Sequence, residues 1–188
     1  MIKLNARELR TTMPDSHVVQ SIHKNPITII LDNVLDTYNV GSIFRLADAV
    51  AAEKVYLCGE TLTPPNSRIK KASINTWNWV EWEYKKTAKE AVETCRMSHV
   101  SCHIVAVEQD ERSKPFYKVQ YDFPLAIVVG NETTGVSKEI LDMADTIVEL
   151  PMWGINKSLN VMVSLGIVLY EIASREARSG FARKHYDH

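Results

Sequence analysis

The stretch IVELPMWGINKSLNVMVSLGIVLYE, residues Ile147 to Glu171, says most about the fold of this chain. Its β-branched start predicts a strand, and Pro151 predicts that the chain then leaves the sheet. Ser158 stands where a helix N-cap belongs. The residues behind Ser158 are apolar on nearly every side, which is too continuous for a helix with one wet face. We therefore expect a helix that lies in the centre of the core or against a partner chain.

Length and composition are those of an ordinary globular protein: 188 residues, 45% apolar, 24% charged, net charge −1. The first residues are too polar for a signal peptide, and the apolar helix is shorter than the ~18 residues that a membrane span needs, so we expect a cytoplasmic protein. Three cysteines without a CxxC pair fit a reducing compartment. We expect an arm over residues 1–25, one domain over 26–173 and a basic tail over 174–188.

Apolar β-branched runs alternate with segments of helical period along the chain. Strands are predicted at residues 27–31, 54–58, 79–84, 103–107, 125–129 and 147–150, and helices at 40–50, 87–97 and 136–144. This alternation predicts an α/β fold with a mainly parallel sheet flanked by helices. In such sheets ligands gather at the carboxyl ends of the strands.

Three polar loops follow predicted strands, at residues 36–45, 130–135 and 151–160. Each contains glycine beside hydrogen-bonding side chains, so that the backbone can approach a ligand closely. None has the GxGxxG or GxxxxGK[ST] pattern of a phosphate-binding loop. A dinucleotide-dependent dehydrogenase and a P-loop enzyme are therefore disfavoured.

Three further groups of residues allow two interpretations each. A zinc site could use Cys95, His99, Cys102 and His103, but adjacent residues of a regular strand point to opposite faces, so we expect no metal. Three tryptophans in residues 77–82 favour core packing over stacking on nucleobases. Basic clusters favour a solvated face over a phosphate-tracking patch; they are Arg68, Lys70 and Lys71, and then Arg175, Arg178, Arg183 and Lys184.

Three ordered motifs carry a family resemblance that periodicity alone does not supply. They are NVGSIFR (Asn39 to Arg45), VGNETTGVS (Val129 to Ser137) and LPMWGINKSLNV (Leu150 to Val161). Together they resemble the motifs of the SPOUT-class RNA 2'-O-ribose methyltransferases of the TrmH (SpoU) family. The resemblance spans about residues 27 to 171. It implies a deep trefoil knot at the C-terminal end, a homodimer, and methyl transfer from S-adenosylmethionine to a ribose 2'-hydroxyl of RNA.

The resemblance also assigns roles to individual residues. The positions that match cofactor contacts are Gly130, Asn131, Leu150, Met152 and Leu159. The positions that match the polar active site are Asn39, Arg45, Glu132, Ser158 and Asn160. Because a guanidinium is a poor base but a good donor to oxyanions, we expect Arg45 to bind the RNA backbone and to stabilise the developing alkoxide.

Transfer to tRNA is the leading interpretation, since the chain resembles a compact catalytic domain with short basic ends. Ribosomal RNA is the alternative substrate. A knotted RNA-binding protein without catalysis and an unrelated nucleotide-binding α/β enzyme are alternatives from other classes. The combined presence of Arg45, Glu132, Ser158 and Asn160 argues against the first of these, and the missing phosphate loops argue against the second.

Overall fold

One seven-stranded sheet organises the chain in the computed structural model, which describes residues 4–179 and their side chains as far as residue 175. The strands are β1 (Asn25–Asp32), β2 (Ala52–Cys58), β3 (Trp82–Lys85), β4 (His103–Val107), β5 (Lys114–Pro115), β6 (Leu125–Gly130) and β7 (Thr146–Glu149). The helices are α1 (Glu8–Thr11), α2 (Ser16–Gln20), α3 (Thr37–Ala49), α4 (Ser67–Ser73), α5 (Ala88–Ser98), α6 (Lys138–Met143) and α7 (Val161–Ser179).

Every strand pair in the sheet is parallel, and the order is β3-β2-β1-β6-β4-β7-β5. The predicted α/β class with a parallel sheet is therefore confirmed. The central strand β6 is buried along its whole length, as an uninterrupted apolar run predicts. Because the strands are parallel, the loops that follow β1, β4, β6 and β7 all emerge at one edge of the sheet.

The predicted strand over residues 79–84 is wrong at its start. β3 begins only at Trp82, because Thr76–Asn78 form a short 3-10 helix and the indole of Trp79 instead donates to Asp48 Oδ1 at 2.7 Å. All three tryptophans in residues 77–82 pack against the main hydrophobic core while keeping some exposure. The core interpretation of these side chains is confirmed.

The predicted start of the last helix is also wrong. α7 begins at Val161, and its cap is Asn160, whose Oδ1 accepts from the backbone N–H groups of Met162 (3.0 Å) and Val163 (3.3 Å). Ser158 lies before this cap in the loop. The helix then continues through 19 residues to Ser179, past the expected boundary at residue 173. The rest of the expected basic tail, with Arg183 and Lys184, lies outside the described residues, as does the side chain of Arg178.

The two faces of α7 differ in the single chain. Leu165, Val168 and Leu169 are fully buried against the core. On the other face Val163, Ile167 and Tyr170 are exposed, although all three are large and apolar or aromatic. One half of the helix therefore lies in the core as expected, and the other half presents an apolar stripe.

Helix α4 was not predicted from the sequence and packs closely on α3. Asn66 caps it by accepting from Arg68 N at 2.9 Å and Ile69 N at 3.2 Å. The contact with α3 requires glycine at position 41, because a Cβ there would lie 2.6 Å from Ala72 Cβ and 2.7 Å from Ile69 O. This close approach fixes α4 relative to the helix that carries the first motif.

The segment before β1 contains two short helices, α1 and α2. The long apolar helix needed for crossing a membrane is absent from residues 4–179.

Candidate active site

A cleft of about 490 Å³ lies at the carboxyl edge of the sheet. Its walls come from the ends of β4, β6 and β7 and from the start of α7, four segments that the parallel topology brings to one edge. Apolar residues line part of it, namely Val107, Val129, Leu150, Met152, Leu159 and Val161. Three carboxylates also line it, namely Glu108, Glu132 and Glu149. The volume lies in the range of ordinary small-molecule sites.

All five residues that the motifs assign to the cofactor line this one cleft. They are Gly130, Asn131, Leu150, Met152 and Leu159. Three of the five polar active-site candidates also line it, namely Glu132, Ser158 and Asn160. Two sequence segments about 20 residues apart thus meet around a single concave surface.

The loop of residues 130–137 after β6 folds back on itself. Asn131 and Gly135 form an antiparallel bridge through N–H···O bonds of 3.1 and 2.9 Å. The side-chain Oδ1 of Asn131 accepts from the N–H groups of Thr133 (2.8 Å) and Thr134 (3.1 Å). Gly135 has φ +72°, a left-handed conformation that favours glycine. The loop therefore keeps its shape through its own hydrogen bonds.

Side chains from neighbouring strands hold the same loop in place. Buried Asp32, at the end of β1, accepts from the N–H of Ser137 at 2.9 Å. Glu108, directly after β4, accepts from the N–H of Val136 at 2.8 Å. The loop is thus fastened to the strands on both sides of β6.

A chain of hydrogen bonds joins the three motifs. The amide of Asn160 donates to Asn39 Oδ1 at 3.0 Å, and the amide of Asn39 donates to Glu132 Oε1 at 2.9 Å. The carboxylate of Glu132 also accepts from the backbone N–H groups of Leu35 and Asp36, both at 3.0 Å. Desolvation would raise the pKa of Glu132, but these donors outweigh it and hold the pKa below its ordinary value. Glu132 is therefore ionised at neutral pH and accepts from three donors.

Arg45 stands apart from the other four polar candidates. It is exposed on α3, and its side chain forms no hydrogen bond or ion pair with residues 4–175. It does not line the cleft. Six positions separate it from Asn39, which on an α-helix places it about 9 Å along the axis and about 120° around it. Its guanidinium is thus free to meet a ligand from outside the cleft.

The loop of residues 151–160 is open. Trp153 is 89% exposed and Ile155 is fully exposed, beside the half-buried Met152. A Cβ at Gly154 would meet no atom within 4 Å. The amide of Gln109 donates to the backbone oxygen of Lys157 at 2.5 Å and so ties this loop to the end of β4.

Sequence reasoning missed four polar cleft residues that lie outside the three motifs: Glu108, Gln109, Glu149 and Ser164. The first two directly follow β4, so the rule that ligands gather at strand ends could have found them. Ser164 lies four residues after Asn160, one helical turn further on. The segment after β4 carries no glycine, and so it lacks the feature that marked the other three loops.

The alternative zinc constellation does not assemble. Within residues 4–175 no group of three or more His, Cys, Asp or Glu side chains is arranged to hold a metal ion. Cys95 and Cys102 are buried, and a hydrogen bond between the two thiols, together with burial, raises the pKa of Cys95. His103 Nε2 lies 2.9 Å from Thr146 Oγ1.

Comparison with known proteins identifies relatives of this chain. Residues 26–170 match the SpoU rRNA Methylase family. The tRNA (guanosine(18)-2'-O)-methyltransferase of Aquifex aeolicus is 33% identical over 158 residues, which cover 82% of this chain and 72% of that enzyme.

Two solved structures share the fold. The A. aeolicus TrmH/SpoU tRNA modifying enzyme superposes with a TM-score of 0.75 at 29% identity, over 93% of this chain and 84% of that one. An AdoMet-bound rRNA methyltransferase from Sinorhizobium meliloti superposes with a TM-score of 0.73 at 27% identity, over 84% of this chain and 60% of that one. The chain thus spans less than two thirds of some structures that it resembles.

Proposed function

The chain belongs to the SpoU rRNA methylase family, and from that membership we propose that it transfers the methyl group of S-adenosylmethionine to a ribose 2'-hydroxyl of RNA, with tRNA favoured over ribosomal RNA. One observation carries the proposal. The residues that two separate motifs assign to the cofactor all line a single cleft, and that cleft borders the polar network of Glu132, Asn39 and Asn160.

The chemistry of the cleft fits the cofactor. Apolar side chains such as Leu150, Met152 and Leu159 suit a flat adenine, and Gly130 lines the same cleft without a side chain. The carboxylates of Glu108 and Glu149 suit ribose hydroxyls and a positively charged sulfonium. When bound there, S-adenosylmethionine supplies an electrophilic methyl group. An in-line displacement of this kind needs positioning and proton removal but no metal.

The polar network of Glu132, Asn39 and Asn160 holds the three motifs in position and takes no part in the reaction itself. Both carboxylate oxygens of Glu132 already accept hydrogen bonds, so this residue serves to lock the first two motifs together. Asn39 is buried and is held on both sides, by Glu132 and by Asn160. Ser158 is exposed at the cleft wall and can donate to an incoming ribose or phosphate.

Arg45 is proposed to act on the RNA. A guanidinium with a pKa above ~12 does not serve as a base at neutral pH, but its planar fork matches phosphate oxygens and stabilises a developing alkoxide. Its exposed position on α3, without a protein partner among residues 4–175, leaves those donors available.

The exposed face of α7 supports a homodimer. Val163, Ile167 and Tyr170 form a continuous stripe at helical spacing, and Leu159 extends it toward the cleft. A second copy of the chain covers this stripe in the proposal, and light scattering should then give twice the chain mass of 21.3 kDa. A mass of one chain at micromolar concentration would contradict it.

We also propose that the C-terminal part is threaded as a trefoil knot and that the enzyme works in the cytoplasm. The insertion of β6 and β7 between earlier strands supports the first point. The domain over residues 26–173, with its arm and its basic tail, stays a proposal of the same kind.

Methyl transfer to RNA tests the function. We expect labelled methyl from S-adenosylmethionine to enter unmodified tRNA as an alkali-resistant 2'-O-methyl dinucleotide. Arg45→Ala should lower the rate by at least about 100-fold, as for loss of a group that stabilises an oxyanion. Arg45→Lys, which keeps the charge but not the fork, should retain more activity, and cofactor binding should stay unchanged in both variants.

Ribosomal RNA is tested in parallel. Label in ribosomal RNA alone would replace the tRNA proposal by the alternative substrate. Cofactor binding without transfer to either RNA would favour the noncatalytic RNA-binding protein. Absence of cofactor binding would contradict the proposed transfer from S-adenosylmethionine.

A further inference from the structure

A basic concavity lies between α1 and α4, and none of its residues lines the cleft. Its volume is about 220 Å³. Three of its six lining residues are cationic, namely Arg10 of α1 and Lys70 and Lys71 of α4. The other three are Ser67, Ile74 and Asn75.

The three cations have no acidic partner within residues 4–175. All three side chains are exposed, and none forms an ion pair or a hydrogen bond with that part of the chain. Like charges around one concavity repel each other, and their donors remain unsatisfied by protein. Such an arrangement of cations is suited to binding an anion.

A strained turn assembles the concavity from two distant segments. Ile74 and Asn75 both adopt left-handed backbone, with φ values of 51° and 66°. A β-branched residue in this region is uncommon, because its Cβ crowds the backbone there. The turn places the amide of Asn75 so that it donates to Leu9 O at 2.9 Å and holds α1 beside α4. Strain of this kind persists where the surrounding structure over-determines it.

The concavity is fixed relative to the active-site helix. Because Gly41 allows α4 to pack directly on α3, the two lysines move with the helix that carries Asn39 and Arg45. A polyanion that bridges the concavity and Arg45 therefore contacts two helices that are packed directly on each other.

We propose that Arg10, Lys70 and Lys71 bind phosphate groups of the RNA backbone at a distance from the methylated ribose. The identity of the polyanion as RNA rests on the proposed function. The concavity suits phosphate and not a nucleobase, because its one apolar residue, Ile74, is itself buried and no aromatic side chain lines it. Contacts of this type hold the register of the substrate and carry no sequence information.

The salt dependence of tRNA binding tests the site. The double variant Lys70→Ala/Lys71→Ala should bind tRNA roughly tenfold more weakly, and the slope of log affinity against log salt should fall by about 1.5, since each lost phosphate contact removes about 0.7 to 0.9. Lys114→Ala/Lys118→Ala is the matched control. It removes the same charge from exposed lysines at or just after the edge strand β5, neither of which lines the concavity, and should leave the slope unchanged.

The role of the strained turn is tested separately. Asn75→Gly keeps the left-handed backbone accessible and removes only the amide that holds α1. It should weaken tRNA binding as much as Arg10→Ala does, and combining the two should add nothing, because both remove the same contact. Fully additive losses would overturn the claim that Asn75 acts by placing Arg10.

The outcomes separate this proposal from the proposed function. In one outcome the wild type methylates tRNA, and the Lys70→Ala/Lys71→Ala variant binds tRNA as tightly as the control variant does. This outcome would refute the site and leave the proposed function unchanged. Loss of tRNA affinity and slope in the lysine variant, with no methyl transfer by the wild type, would support the site and refute the function.

Discussion

The two loops that line the cleft, residues 130–137 and 151–160, both carry glycine but are built in opposite ways. In the first loop, a Cβ at Gly130 would overlap backbone atoms of Gly135 and Val136. In the second, a Cβ at Gly154 would lie in open space. The first loop is closed by hydrogen bonds of its own, whereas the second leaves Trp153 exposed.

This difference separates the part of the candidate site that the chain's own hydrogen bonds hold in shape from the part that lies open to solvent. The loop after β6 is held by Asp32 and Glu108 from the strands on either side, so its shape needs no ligand. The loop after β7 has one side-chain bond to the end of β4, from Gln109, and a cap at the start of α7. A preformed half lowers the entropic cost of binding, and an open half can close over the ligand or against a second copy.

The largest expected effect tests the contrast between the two glycines. Gly130→Ala should lower the free energy of unfolding by more than about 3 kcal/mol, because the new methyl group meets backbone atoms that cannot move cheaply. Gly154→Ala should change it by less than about 0.5 kcal/mol, since the site is open. Urea denaturation of both variants measures this, and equal losses would contradict the comparison.

A smaller effect concerns Glu132, which lies in the loop of residues 130–137 and binds the first motif. Glu132→Gln should lower the free energy of unfolding by about 1–2 kcal/mol at neutral pH, because an amide cannot accept from all three donors. The folded-state pKa of Glu132 lies below its ordinary value. Its contribution is therefore present above the unfolded pKa of ~4.3 and is lost as the pH falls through the folded value.

Denaturation between neutral pH and about pH 3 measures this loss, which the Gln variant should lack. Glu111→Gln is the matched control, because Glu111 is exposed and forms no hydrogen bond or ion pair with residues 4–175. A wild type and a Glu132→Gln variant with parallel acid profiles would show that the carboxylate does not hold the loop.

The smallest effect distinguishes two candidate caps in the open loop. Asn160→Ala should cost about 1 kcal/mol, the usual value for a lost N-cap. Ser158→Ala should cost less than about 0.5 kcal/mol, because its side chain is exposed and caps nothing. Thermal unfolding of the two variants compares them, and a larger loss for Ser158→Ala would return the start of α7 to the position that the sequence suggested.

Periodicity predicted most of the sheet, because the buried strands are uninterrupted apolar runs. β4 was predicted to the residue at His103–Val107, and β6 within one residue. Tertiary contacts decided the rest. Asn160 and Ser158 are equally good caps in sequence, and Asn160 caps the helix while also donating to Asn39, a residue 121 positions away.

Other features leave no periodic trace. Helix α4 has few apolar residues, and it is defined by the Asn66 cap and by its contact with Gly41. Arg45 was predicted from the first motif, but its position outside the cleft depends on how α3 is rotated in the fold. Glu108 was missed because its role, holding the N–H of Val136, exists only once β4 and β6 are neighbours.

The strand order has a consequence for how the chain folds. β6 enters between β1 and β4, and β7 enters between β4 and β5, so strands made late complete a sheet begun by strands made early. Pairings such as Ile27 with Leu125 span about half the chain, and such non-local contacts slow folding. During synthesis the first hundred residues contain β1, β2 and β3, but not β6, the central strand that pairs with β1. The ends of β6 and β7 line the candidate site, so this site can form only after these late strands have joined the sheet.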